Sequence, residues 1–258
     1  MPVMNSRYVL GLRVDVTSYK EAARQVGAWA KERRGRTVCC ANVHMVMEGH
    51  RDMQFRAAVN SADIVTADGM PLVWALRGSG AEKAGRVYGP DLMTSVLSLA
   101  ARDGIPVGFY GATEATLARL SAACRRRHPG LEIAFCYAPP FRDLEVEEED
   151  DVVRRIEESG ARILFVGLGC PKQERWMAGH RTSIRCVQLG VGAAFDQLAG
   201  VTPRAPAWMQ ASGLEWLFRL AVEPRRLWRR YFYTNSAFVL RLLGGWLRTE
   251  PAVRKASS

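Results

Sequence analysis

The sequence predicts an α/β protein: a Rossmann-like, mostly parallel sheet flanked by helices, with a C-terminal helical appendage. Short apolar runs rich in β-branched residues alternate with longer segments of helical periodicity, as in a parallel sheet covered by helices. A length of 258 residues with 48% hydrophobic content suits one well-packed α/β domain plus an appendage. The composition then changes between Thr202 and Pro206, where two prolines and an arginine lead into a basic, tryptophan-rich stretch.

Taken in order, the expected strands lie near 36–41, 63–67, 105–110, 131–137, 161–168 and 184–191. The expected helices lie near 18–34, 50–61, 90–103, 112–127, 146–159 and 171–182, several opening with Thr, Asp or Pro as start signals. Leu92, Val96, Leu97 and Ala100 form one apolar stripe on the third of these. The acidic run Glu145 to Asp151 opens the helix at 146–159, where negative charge interacts well with the helix dipole. Pro139-Pro140 before it marks a loop, and no internal repeat is present. The boundary divides the chain into a core, 1–203, and an appendage, 204–258.

Charge is concentrated in the appendage. Its ten Lys/Arg against three Glu supply a surplus of seven out of the chain's net +10, and it holds four of the seven tryptophans. Such a surface suits anionic lipid, nucleic acid or phosphates. Met1 to Val16 has no basic stretch followed by an apolar run, so no secretory signal is read and a cytoplasmic location is expected. The six cysteines form no C-x-x-C pair and the four histidines stand apart from them, which argues against a structural metal or a disulfide framework.

In open α/β sheets ligands bind beyond the carboxyl ends of the strands, so polar residues just after the predicted strands are the first candidates. Asp68 follows Ile64-Val65-Thr66-Ala67 and precedes Gly69. It reads either as a general base whose pKa partial burial would raise, or as a cap of the following helix. Gly167-Leu168-Gly169 and Gly190-Val191-Gly192 each resemble the opening of a dinucleotide loop, but Lys172 and Phe195 stand where the third glycine belongs. Pro171 at a first helical turn, with Lys172 and Gln173 beside it, reads as an anion cradle or as a plain helix start. His44 reads as a ligand contact or as a core or helix-start histidine. Cys39-Cys40 reads as strand packing rather than a nucleophile, and no G-x-S-x-G is present.

Together these clusters resemble the WecG/TagA/CpsF family of bacterial glycosyltransferases, from about Val9 to Arg230. The resemblance rests on Ala41-Asn42-Val43-His44-Met45, Ala67-Asp68-Gly69-Met70, Arg86-Val87-Tyr88-Gly89-Pro90-Asp91-Leu92 and Gly167-Leu168-Gly169-Cys170-Pro171-Lys172-Gln173-Glu174. Gly190-Val191-Gly192 with Phe195-Asp196, and Arg204-Ala205-Pro206 with Gly213-Leu214-Glu215-Trp216, complete the series. The resemblance implies inverting transfer of a sugar, typically N-acetylmannosamine from its UDP form, onto an undecaprenyl-diphosphate-linked saccharide in surface polysaccharide or teichoic acid synthesis. It implies no cofactor and no metal.

Carried over, Asp68 matches the catalytic base, and Asn42 and Gln173 match polar residues lining the sugar pocket. Arg86 is a further pocket residue. Cys40 stands where the family commonly has threonine and is a weaker hydrogen-bond partner. Ala193-Ala194 likewise replaces a common Gly-Thr. Gly169, Pro171, Lys172, Glu174 and Asp196 complete the substrate-binding set. Arg219, Arg226 and Arg229 match appendage arginines, whose guanidinium forks would neutralise the leaving diphosphate.

The expected partners are therefore a UDP-sugar, a polyprenyl-diphosphate-linked acceptor and the inner face of the cytoplasmic membrane, with no nucleic acid; an exposed apolar patch would also permit a homo-oligomer. Tyr231 to Leu247 spans 17 residues interrupted by Arg241 and Gly244-Gly245, short of the roughly 20 apolar residues a spanning helix needs, so surface docking is expected. Two rival readings are a Rossmann-like nucleotide-binding oxidoreductase, which the broken glycine motifs disfavour, and a non-enzymatic membrane or nucleic-acid binding module, which leaves the Asp68 and Gln173 clusters unexplained.

Overall fold

The computed structural model describes residues 5–247 and 253–255, apart from some side chains of the last helices, Arg226 and Arg229 among them. Six strands form one sheet: β3 (Arg36–Ala41), β4 (Ile64–Ala67), β5 (Val107–Gly111), β6 (Ile133–Tyr137), β7 (Ile163–Gly167) and β8 (Val187–Gly190). Their spatial order is β4-β3-β8-β7-β5-β6. Every pairing is parallel, so all six carboxyl ends emerge along one edge.

Alternation along the strands sends side chains to opposite faces. Cys39, Ala41, Val65, Leu164 and Val166 join one core cluster, and Val38, Cys40, Ile64, Phe165 and Leu189 join the other. The first layer is covered by α2 (Val43–Arg51), α3 (Met53–Asn60), α4 (Met70–Gly78), α7 (Val146–Glu158) and α8 (Lys172–Gly179). The second is covered by α1 (Tyr19–Glu32), α5 (Gly89–Asp103), α6 (Glu114–Arg127) and α9 (Ala194–Leu198). The stripe Leu92, Val96, Leu97 and Ala100 is buried as its spacing predicts. Glu145 and Glu148 form a reciprocal capping box at the start of α7, which is the role of the acidic run.

Three elements depart from the pattern read along the chain. The expected helix at 50–61 is two helices, because Asp52 is extended at φ −123° and accepts a hydrogen bond from Phe55 N at 2.9 Å, starting α3 afresh. The preceding helix starts eight residues earlier than position 51, its last residue, at Val43; Asn42 caps it by accepting from Met45 N at 3.2 Å. A hairpin of β1 (Ser6–Val9) and β2 (Leu12–Asp15), turned at Leu10 and Gly11 with φ of 49° and 88°, precedes the sheet. Asp15 Oδ2 accepts from Val65 N at 2.7 Å, so the hairpin satisfies backbone on the outer edge of β4.

After α9 come α10 (Ala207–Ala211), α11 (Glu215–Val222) and α12 (Pro224–Leu247). The Glu223-Pro224 junction separates the last two, as proline at the start of a helix allows. Phe238 of α12 is buried in the same cluster as Val46 and Met47 of α2, which brings the appendage over the carboxyl edge near β3 and β4. Finally β9 (Val253–Lys255) pairs antiparallel with β1.

Candidate active site

Asp68 is the first residue after β4, and its N–H donates to Ala41 O at 2.8 Å, locking it beside the end of β3. The next helix is capped by Gly69 with no side-chain hydrogen bond, so the Asp68 carboxylate is not spent on a cap. Gly89, at the start of α5, lies beside both Asp68 and Cys40: a Cβ built there would stand 3.6 Å from Asp68 Oδ2 and 3.7 Å from Cys40 Sγ. The Gly89 N–H hydrogen-bonds to Asp68.

An open cleft lies above this point. Asn42, Asp68, Arg86 and Arg219 line it together, with Tyr88, Glu215, Trp216, Thr234 and Asn235. Arg86 Nε donates to the Asp68 carbonyl, and its Nη2 lies 2.6 Å from Glu215 Oε2 and 3.7 Å from Asp68 Oδ1. The guanidinium also stacks 4.2 Å above the Tyr88 ring. Burial, reinforced by the nearby Glu215 charge, pushes the Asp68 carboxyl up to about 7 against the opposing pull of Arg86, Arg219 and the Gly89 N–H. A carboxylate poised near neutrality inside a cleft is suited to accept a proton from a bound hydroxyl.

The other candidates are distributed around this centre. Cys40 is 6% exposed on β3, behind Asp68, and burial pushes its thiol well up, so it is no nucleophile. His44 lines the cleft on α2. Gln173 and Glu174 are buried beneath the end of β8: Gln173 Oε1 accepts from Gly169 N at 3.3 Å, and its Nε2 donates to Glu174 Oε1 at 2.6 Å. The Gln173 N–H is itself bonded to Gly169 O at 2.9 Å, so this N–H is not available to a cradle at Pro171. Lys172 Nζ pairs with Asp143 at 2.9 Å and lines a separate pocket with Tyr110 and Trp176. Asp196 Oδ1 accepts from Thr116 Oγ1 at 3.4 Å between α9 and α6. Arg226 and Arg229 fall on α12, with side chains outside those described.

Tyr88, Glu215 and Trp216 stand in quoted motifs that give them no role in the site, and Thr234 and Asn235 line the cleft from outside any motif. Glu215 stands 129 positions after the arginine it holds. A glutamate in a first helical turn is the ordinary dipole-compatible choice, so nothing local marks it as buried machinery.

Glu174 yields a stability prediction. It is 1% exposed, and burial pushes its carboxyl up to about 7 despite hydrogen bonds from Gln173 and the Cys170 thiol. The folded state thus holds this proton more tightly than the unfolded chain, and wild-type stability falls as pH rises from about 4.5 through 7. Glu174→Gln removes the ionisation, so the variant should be more stable than wild type at pH 8 by about 1–3 kcal/mol, read as a higher thermal midpoint, with the gap closing toward pH 4. A gap between variant and wild type that is the same at pH 8 and pH 4 would show that folding does not raise the Glu174 carboxyl.

Comparison with known proteins bears on this geometry. A family model, described as the glycosyl transferase WecG/TagA/CpsF family, matches residues 7–252. The chain is similar to an N-acetylglucosaminyldiphosphoundecaprenol N-acetyl-beta-D-mannosaminyltransferase of Bacillus spizizenii, 32% identical over 200 residues that cover 77% of this chain and 76% of the relative.

Proposed function

Because the chain belongs to the WecG/TagA/CpsF family of glycosyl transferases, we propose that it moves an N-acetylmannosamine-like sugar from a UDP donor to an undecaprenyl-diphosphate-linked saccharide. The product would serve surface polysaccharide or teichoic acid synthesis. Family membership makes the protein a glycosyltransferase and sets aside the oxidoreductase and the non-enzymatic readings. The observation that carries the finer reading is the Asp68 carboxyl, raised to about 7 at the base of a cleft that two arginines also line.

In this reading an acceptor hydroxyl oxygen attacks the anomeric carbon while Asp68 takes its proton. The bond from that carbon to the diphosphate oxygen breaks, and UDP leaves with both electrons. A single displacement inverts the anomeric centre. Arg86 and Arg219 stand in the cleft where charge-assisted bonds to the departing diphosphate would form, with Arg226 and Arg229 proposed to join them. On this account residues 1–203 are the catalytic core and 204–258 the appendage. Screening UDP-sugars against a short-chain lipid-diphosphate acceptor tests the assignment. Turnover with UDP-N-acetylmannosamine that persists in excess EDTA is expected; a requirement for added magnesium or manganese would overturn the metal-free account, and turnover only with an unrelated donor the sugar assignment.

We also propose that the appendage docks on the inner face of the cytoplasmic membrane. Among the described residues no helix is long and apolar enough to cross a membrane. Trp208, Trp228, Tyr233 and Leu240 are nonetheless exposed on the appendage helices, whose sequence is rich in arginine. Co-sedimentation with anionic vesicles at low salt, weakened at high salt, is expected; no binding at low salt would remove the membrane role.

A further inference from the structure

We propose that Glu215 is a positioning residue that sets the basicity of Asp68 by holding the Arg86 guanidinium away from it. The inference rests on the reading of Asp68 as the base. Arg86 is anchored at one end, its Nε on the carbonyl of Asp68, so only its outer nitrogens can choose a carboxylate. The choice made is unequal: Nη2 lies 2.6 Å from Glu215 and 3.7 Å from Asp68. Both carboxylates are sequestered, with side chains 11% and 16% exposed, so a difference of this size is weakly screened.

Among the described residues, Glu215 is the negative charge that raises the Asp68 carboxyl. From α11 it faces Glu215 and Arg219, and from the segment before α5 it faces Arg86 and Tyr88. The α5 N-terminus presents the Gly89 N–H, β3 the neutral Cys40 thiol, α1 the Tyr19 phenol and α2 Asn42 and His44. Burial is the largest upward cause on the Asp68 carboxyl, and the two cations pull against it. Glu215 opposes them twice, through its own charge and by occupying the better half of Arg86. It also hydrogen-bonds to Tyr88, whose ring supports the same guanidinium.

Because Glu215 belongs to α11 and its partners to the sheet edge, the strength of the base depends on the seating of a late segment of the chain. With α11 seated, Asp68 is a good proton acceptor. With α11 displaced, Arg86 is released to Asp68, whose carboxylate becomes a weak base. Chemistry is thereby tied to a closed cleft, where water is excluded.

The test follows the Asp68 carboxyl carbon by NMR in protein labelled at aspartate, and in parallel the pH dependence of kcat. In Glu215→Gln the Asp68 titration should move to lower pH by about one unit or more. The acid limb of kcat should move the same way, while its plateau falls about tenfold because a weaker base transfers the proton less readily. Glu215→Asp keeps the charge but draws it back by one methylene, so it should titrate between the two, and it decides the matter if Glu215→Gln does not fold. In an Arg86→Gln background the shift caused by Glu215→Gln should shrink, since the mediator is gone. An unmoved Asp68 titration in a folded Glu215 variant would overturn the proposal, as would an equal shift with and without Arg86. Should wild type transfer no sugar, the reading of function fails, yet the titration arm still decides the role of Glu215.

Discussion

Asp68→Asn is expected to lower turnover by about 10³-fold, within the range that a positioned general base contributes. The amide preserves the shape of the carboxylate and its place after β4, where the backbone N–H is held by Ala41 O at 2.8 Å, so the fold should persist. What it loses is the ability to accept the acceptor's proton. Binding of UDP should change little, because the diphosphate is assigned to the arginines, and calorimetric titration would check this. Stability should move the opposite way to activity. The folded carboxyl titrates at about 7 and the unfolded one at about 3.8, so wild type progressively loses stability as pH rises between these values, and the asparagine variant does not. A folded variant that retains a tenth or more of wild-type turnover would remove Asp68 from the base role. One with a lower thermal midpoint than wild type at pH 8 would show that the ionised carboxylate is a net stabilising partner of Arg86.

The second large effect is expected from Gly111→Ala. Gly111 ends β5 directly opposite Gly167, which ends β7, and it adopts φ +121°, a conformation that side chains rarely tolerate. A Cβ there would meet the Gly167 carbonyl carbon at 2.5 Å, and that contact is backbone, which has no rotamer to yield. Either β5 and β7 separate or the turn into Thr113, the cap of α6, is rebuilt. A loss of about 3–4 kcal/mol by urea denaturation is expected. Gly169→Ala is the control: its φ of +80° is also left-handed, but no atom lies within 4 Å of the added carbon, so only about 1 kcal/mol should be lost. Similar midpoints for both variants would show that backbone conformation, not the approach of β5 to β7, governs these glycines.

Six strands and their layers were legible in the chain because each is a short apolar run whose neighbours supply turn or cap signals, and a parallel sheet buried on both faces needs little more. The same locality explains why Asp68 and Asn42 could be singled out: each follows the end of such a run, and parallel pairing sends all those ends to one edge. Arg86, in the segment between α4 and α5, is marked only by the family motif. The break at Asp52 was not legible, since an aspartate can either continue a helix surface or cap a new one, and tertiary packing chose the cap. The hairpin before Asp15 escaped because Ser6, Arg7, Arg13 and Asp15 interrupt its two strands, which leaves no continuous apolar run to read. Which candidates share a cleft was decided only in three dimensions. Gln173 and Glu174 stand in one of the strongest motifs of the chain yet turn inward beneath β8. Glu215, unremarkable in its own helix, reaches Arg86 across 129 positions. A carboxylate's partner and its burial are properties of the folded neighbourhood, and so is the proton affinity they create, whereas the order of apolar runs belongs to the sequence alone.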